Sequence, residues 1–179
     1  VEKGSEFDLH DERRYFKYRV VFQGNNVKDQ NWEVALFNEM QSTPATLDSS
    51  RIADFYASLP GHTVQGRDVE QAYLQADMKG VPTYIILLTD LWTKNMYKMR
   101  CPVFRLEKAL YGHKNSGVFW MEYCEKQVKK AGFTKVDGAN WPGVFYNSET
   151  QMLLIVYVDD MKLAGPTEHM DSTWKALGE

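Results

Sequence analysis

The residues of this chain best suited to chemistry are three carboxylates. Asp159 and Asp160 are adjacent and lie between two short apolar runs, Met152 to Val158 and Met161 to Ala164, the second stopping at Gly165-Pro166. Asp68 ends another short stretch that begins at Val64. Carboxylate oxygens are the donors preferred by hard ions of the Mg²⁺ type, which keep several waters, so two or three Asp side chains suffice to hold them. Two such ions held close together can activate an attacking hydroxyl and stabilise a leaving phosphate. One Asp at the end of a strand, with an Asp pair on a neighbouring hairpin, assembles that set economically. Read alone, the pair is an Asp-rich surface turn. What shifts the balance is the sequence around it.

The elements that must position the carboxylates are short. Met152 to Val158 is a continuous run of apolar residues, too short for a membrane span or a typical helix, and predicts a strand buried on both faces. With Gly143 to Asn147 it makes an antiparallel pair across Ser148-Glu149-Thr150, and Asp159-Asp160 occupies the following hairpin turn. Val64 to Asp68 predicts a strand that runs into a helical turn over 69–74. Two more strands are expected at Pro82 to Leu88 and Cys101 to Leu106, with a loop over 90–100 between them. From Ser116 a helix places Trp120, Cys124, Val128 and Ala131 on one face, with Lys129 and Lys130 in its last turn and Gly132 as its stop. Upstream, Tyr15 to Gln23 alternates as a strand, Tyr18, Val20 and Phe22 on one face and Lys17, Arg19 and Val21 on the other. Gly24-Asn25-Asn26 turns the chain, and residues 27–42 read as a loop or short helix. Thr43-Pro44 supplies an N-cap and first residue for a helix whose core face is Ile52, Phe55, Tyr56 and Leu59. Helices packed on one side of a short antiparallel sheet make an α+β fold.

Bulk properties narrow the class. A chain of 179 residues buries one good core; it is 44% hydrophobic, 25% charged and 13% aromatic, a globular composition. A net charge of −3 argues against coating nucleic acid by charge alone. Cys101 and Cys124 sit outside any CxxC spacing and read as reduced, partly buried thiols of an intracellular protein of the cytoplasm or nucleus. His10, His62 and His169 have no ligand spacing with either cysteine, so no zinc site is expected. No apolar run approaches membrane length. The chain starts at Val1 and ends in a helical pattern at Trp174 to Leu177, which reads as a fragment of something longer.

Three boxes in order then carry a resemblance. Asp68-Val69-Glu70-Gln71-Ala72-Tyr73-Leu74 resembles the first catalytic box of reverse transcriptases, DVxxAF/Y, in the form found in copia-type retrotransposons. Leu106 to Lys114, LEKALYGHK, is similar to that lineage's LNKALYGLK box, and Val156 to Asp160 is similar to its VYVDD box. Trp120 falls where the pattern continues to an aromatic, and Gly132-Phe133 resembles the GF after its helix. Lys17 to Val21 with Gly24 resembles the KxRLVxxG strand of its fingers. The resemblance covers most of residues 15–165. It departs after the second box, where Lys114-Asn115-Ser116-Gly117 stands in place of the proline-containing KQAP, so a weaker helix start is expected.

The resemblance implies a single reverse-transcriptase-like domain over 1–179, with 15–66 mainly fingers and 67–170 mainly palm, the palm being a ferredoxin-like antiparallel sheet with helices on one face. No thumb, RNase H or integrase is visible. It implies template-directed transfer of a deoxynucleotide to a primer 3′-hydroxyl, with two Mg²⁺ or Mn²⁺ ions on Asp68 and Asp159, and Asp160 as a weaker or structural partner. Tyr73 would lie under the incoming sugar and exclude a 2′-hydroxyl. Gly112 would let the nucleotide approach the backbone. Lys17 and Arg19 would contact the triphosphate, as charge-assisted phosphate clamps do. Implied partners are an RNA or DNA template-primer, deoxynucleoside triphosphates and the remainder of a polyprotein, with no membrane. Each residue keeps its plain alternative: Lys17 and Arg19 as the solvated face of a strand, Tyr73 as a core aromatic. His113 replaces a residue usually apolar in the family and has no role here. The alternative function is a catalytically inactive or recruited copy that serves as a binding or structural module in an assembly.

Overall fold

A computed structural model of the chain describes residues 2–3, 15–16, 20–35, 44–137 and 141–178. In chain order the elements are β1 (Glu2–Lys3), β2 (Tyr15–Phe16), α1 (Leu47–Ala57), β3 (His62–Asp68), α2 (Ala72–Gln75), β4 (Tyr84–Ile86), β5 (Val103–Arg105), α3 (Ser116–Lys130), β6 (Thr134–Lys135), β7 (Val144–Asn147), β8 (Met152–Tyr157), β9 (Asp160–Pro166) and α4 (Met170–Gly178). The main sheet is antiparallel throughout, in the order β3-β9-β8-β7-β6, and β1-β2 and β4-β5 form two separate ribbons. The α+β expectation is borne out as a mixed fold built on antiparallel sheets. No helix among the described residues is long and apolar enough to cross a membrane.

The strand period of two divides the core. Met152, Leu154 and Val156 of β8, Leu163 of β9 and Phe145 of β7 pack with Trp120, Cys124 and Val128 of α3 and with Met170 and Trp174 of α4. Their neighbours Ile155, Ala164 and Val144 pack on the opposite face with Ala45 and Ala53, the latter from α1. The sheet is therefore covered on both sides. This corrects the expectation of helices on one face only, and it explains why β8 is apolar at every position.

The face of α1 is also corrected. Ser49 and Ala53 are buried, while Ile52, Leu59 and, at 73% exposure, Phe55 point to solvent. The reason is close approach. Ala53 meets Ala164 and Ala45, small residues that let helix and sheet come together. Lys162 of β9 then reaches across to α1, donating to the Ser50 carbonyl at 3.2 Å and pairing with Asp54 at 2.7 Å. The helix starts at Leu47, later than the Thr43-Pro44 reading: Thr46 is the cap, its Oγ1 accepting from the Ser49 N–H at 3.2 Å. Thr43 lies outside the described residues.

Residues 20–23, read as part of a strand running from Tyr15, form none, whereas Tyr15–Phe16 do; residues 17–19 lie outside the described residues. Val20 and Val21 are exposed, and the segment docks with the Phe22 N–H donating to the Tyr111 carbonyl at 2.6 Å and the Phe22 ring against His113. Cys101 is exposed rather than partly buried, whereas Cys124 is buried.

Candidate active site

The Asp pair sits where a two-residue turn, Val158-Asp159, joins β8 to β9. Tyr157 pairs with Asp160 across the turn, and Asp160 is in turn the register partner of Asp68, the last residue of β3. Asp68 and Asp160 thus lie side by side on the face shared with Gly66, Lys162 and α1. Asp159 is pinned from the other side, its carbonyl accepting from the N–H of Val69 at 2.8 Å. All three aspartates identified from the sequence are brought to one end of two adjacent strands.

The turn is strained. Val158 has a φ of +57°, a left-handed conformation that branching at Cβ disfavours and that costs an L-residue roughly 1–2 kcal/mol. Its carbonyl accepts a hydrogen bond from the indole N–H of Trp120 at 2.6 Å. An open groove of about 810 Å³ adjoins the carboxylates on the α1 side and is lined by Asp68, Asp160, Tyr157, Lys162, Thr46 and Ser50 among others.

None of the three carboxylates is paired with a cation of the described residues or has a side-chain hydrogen bond among them, and the nearby cations are committed elsewhere: Lys162 to Asp54, Arg67 over the ring of Trp174 at 4.7 Å. Like charges directly opposite on a sheet repel, so the arrangement favours a cation. No group of three or more His, Cys, Asp or Glu side chains converges as a closed metal cage among the described residues. The donor set nevertheless fits ions of the Mg²⁺ class, which take one or two carboxylates plus waters and substrate phosphate oxygens in preference to an all-protein cage.

Tyr73 lies in α2 beside this turn. Its ring packs against Tyr111 with centroids 4.5 Å apart, and burial first, then Tyr111 and the Asp159 carboxylate, push its hydroxyl pKa up from the ordinary value. Gly112 follows Tyr111 with a φ of +91°. The space a side chain would fill there is taken by the chain itself, since a Cβ would come within 2.0 Å of the Phe22 carbonyl oxygen and 2.8 Å of a Val21 methyl. The close approach at Gly112 is therefore made by residues 21–22. Lys17 and Arg19, the expected triphosphate contacts, lie outside the described residues.

Three features escaped the sequence reading. Trp120 reads from its spacing as a core residue, and nothing local reveals that its N–H meets Val158. His113 is buried at 6% exposure, its Nδ1 accepting from the Asn115 N–H at 3.2 Å and its ring packed on Phe22 and Phe119. One residue before Gly117, which stands where the family pattern carries a proline, Ser116 is buried and closes the 110–116 loop, donating to the Leu110 carbonyl at 2.8 Å and accepting from its N–H at 3.1 Å.

With this geometry in place, comparison with known proteins is informative. A family model described as reverse transcriptase (RNA-dependent DNA polymerase) matches residues 5–176. The Gag-Pol polyprotein of transposon Ty1-MR1 from Saccharomyces cerevisiae (strain ATCC 204508 / S288c) is 38% identical over 97 residues, 54% of this chain and 5% of that protein. A truncated Ty1-A Gag-Pol polyprotein from the same yeast is 38% identical over 97 residues, 54% of this chain and 7% of its own length. The chain thus spans a small fraction of the curated relatives it matches. Among solved structures, a telomerase from Candida albicans in complex with a fragment of telomeric RNA aligns over 77% of this chain and 28% of that one, with 12% identity and a TM-score of 0.37, too slight a likeness to argue a shared architecture from.

Proposed function

The chain belongs to the reverse transcriptase family, as its copia-type boxes led us to expect, and from that premise we propose that it is the palm and part of the fingers of a template-directed DNA polymerase. The reaction is transfer of a deoxynucleotide to a primer 3′-hydroxyl on an RNA or DNA template. The observation that carries this reading is the juxtaposition of Asp68 with Asp160 across β3 and β9, with Asp159 on the adjoining β8-β9 turn and no cation among the described residues paired with them.

Asp68 and Asp159 would hold two Mg²⁺ or Mn²⁺ ions, with Asp160 in support. When bound, such ions lower the pKa of the attacking hydroxyl and offset charge on the leaving pyrophosphate. The protein supplies placement. The β8-β9 turn fixes Asp159 relative to Asp68, and the groove beside α1 leaves Asp68 and Asp160 open to a substrate from that side. Tyr73, beside Asp159 and backed by Tyr111, takes the sugar side, where its bulk opposes a 2′-hydroxyl. Lys17 and Arg19 meet the triphosphate. Gly112, whose open side is filled by Val21 and Phe22, joins this fingers segment to the palm rather than opening a path to the backbone.

A second reading, an inactive copy serving as a module in an assembly, draws on one observation: the β4-β5 ribbon exposes Tyr84, Ile86 and Val103, with Leu88 and Leu91 close by in sequence. Exposed apolar surface of that kind is a mark of partner contact. Single-nucleotide primer extension separates the two. The polymerase reading expects Mg²⁺-dependent extension that Asp68→Asn and Asp159→Asn each abolish; extension that survives either change removes the assignment, and none under any condition favours the module.

A further inference from the structure

We propose that Trp120 is a positioning residue for the carboxylate turn: its indole N–H, beyond its bulk, holds Val158 in the conformation that presents Asp159. Trp120 stands on α3, only 2% exposed, and its N–H reaches a carbonyl 38 residues away in sequence at 2.6 Å. That carbonyl belongs to a β-branched residue at a φ of +57°. Left to itself Val158 favours negative φ, and in a two-residue turn any such relaxation rotates the peptide that leads into Asp159. The next carbonyl, that of Asp159, is held by the Val69 N–H at 2.8 Å, one residue past Asp68. Both peptide oxygens of the turn are therefore held by donors from outside the hairpin, one on α3 and one adjoining the first carboxylate. With its peptides fixed, Asp159 keeps only side-chain torsions free. A phenyl ring at position 120 would keep the aromatic packing in part and donate nothing, and the space it leaves is why the rescue by Val158→Gly is needed to tell tether from packing.

This inference rests on the reading that Asp159 holds a divalent ion, and the experiment tests the two separately. Mn²⁺ binding is followed by electron paramagnetic resonance on the full 179-residue chain, alongside amide hydrogen exchange at Val69. The variants are Trp120→Phe, Val158→Gly, the pair combined, and Asp159→Asn. We expect Trp120→Phe to keep the fold by circular dichroism, to bind Mn²⁺ about tenfold more weakly, equivalent to ~1.4 kcal/mol, and to exchange the Val69 amide faster. Glycine carries no penalty at positive φ, so adding Val158→Gly should restore affinity to within about threefold of wild type. Unchanged Mn²⁺ affinity and Val69 protection in Trp120→Phe overturns the inference. So does a loss that Val158→Gly fails to rescue, because a packing defect would not respond to a backbone change in the turn. If Trp120→Phe does not fold, exchange of the Trp120 indole proton in the wild-type chain decides: protection like that of the core amides supports the tether, and solvent-like exchange overturns it. Equal Mn²⁺ binding by wild type and Asp159→Asn would remove the metal assignment instead, and the Val69 amide would still report on the tether.

Discussion

Asp68 and Asp160 face each other as register partners across β3 and β9, so the sheet sets two carboxylates side by side on one face. Such a pair is a cost to the fold unless a cation sits between or beside them. Asp160→Asn should raise the melting temperature in EDTA, in line with the roughly 0.2–1 kcal/mol that cross-strand pairs carry. Millimolar Mg²⁺ should stabilise the wild-type chain more than the variant. Melting curves with and without Mg²⁺ check both signs, and insensitivity of both proteins to Mg²⁺ would count against an ion at this pair.

The role proposed for Tyr73 is to judge the sugar. Tyr73→Val should raise the ratio of ribonucleotide to deoxynucleotide kcat/KM, since sterics rather than hydrogen bonding would be removed. It also breaks the contact with Tyr111, so some stability is lost in either case. A loss of stability with an unchanged ratio would make Tyr73 a core aromatic and nothing more.

Gly112 is a joint with no room. In Gly112→Ala the new methyl meets the Phe22 carbonyl oxygen, and the φ of +91° adds backbone strain of about 1–3 kcal/mol. The expected result is undocking of residues 21–22, seen as faster exchange of the Phe22 amide, with the β8-β9 hairpin protected as before.

The two cysteines should differ in reactivity. Burial first, and then the nearby Glu125 carboxylate, push the Cys124 thiol up to about 12, so it remains protonated and inert at neutral pH. Cys101 is exposed. A colorimetric disulfide reagent should release one equivalent of chromophore from the native chain and two after denaturation; two equivalents from native protein would show that α3 opens readily.

His113 predicts a pH dependence of stability. Burial holds its pKa below the ordinary 6.5, so the unfolded chain takes up the proton more readily than the folded one. Its contribution is complete above about 6.5 and is lost as pH falls toward the depressed native value. Protonation would also set a ring N–H against the Asn115 N–H that Nδ1 now accepts. The urea midpoint should therefore fall between about pH 7 and about pH 5, and fall less in His113→Leu. Equal slopes for the two proteins would place the titration elsewhere.

What the sequence disclosed depended on how local the determining contacts are. The apolar run of β8 and the amphipathic period of α3 announce themselves within a few residues and were found where expected, while the hairpin turn, read at Asp159-Asp160, falls one residue earlier at Val158-Asp159, with Asp160 already paired in β9. Asp68 was legible for the same reason, as a carboxylate ending a strand. The face of α1 was not. Reading large apolar residues as the core face put Ile52, Phe55, Tyr56 and Leu59 inward, but against a sheet approached through Ala164 and clamped by Lys162 the buried positions are Ser49 and Ala53, and of the four expected residues Tyr56 packs on that cluster. Residues 20–23 alternate like a strand, yet the Phe22 N–H goes to Tyr111, a partner some ninety positions away. His113 and Trp120 are of the same kind: what each does is decided by Phe22 or Val158, and no window around either residue contains that information.

The alternation of β9 carries a consequence for how this chain can vary in length. Leu163 faces α3 and α4 while its neighbours Lys162 and Ala164 face α1, so both surfaces of one strand are spoken for. Adding or removing a single residue in the turn at 158–159 would exchange the two sets, sending a lysine into an apolar layer and a leucine against Asp54. The turn at 148–151 joins β7 to β8 at the other end of β8, so a change of length there leaves the β8-β9 register alone. Insertions and deletions should accordingly be tolerated better at 148–151 than at the carboxylate turn.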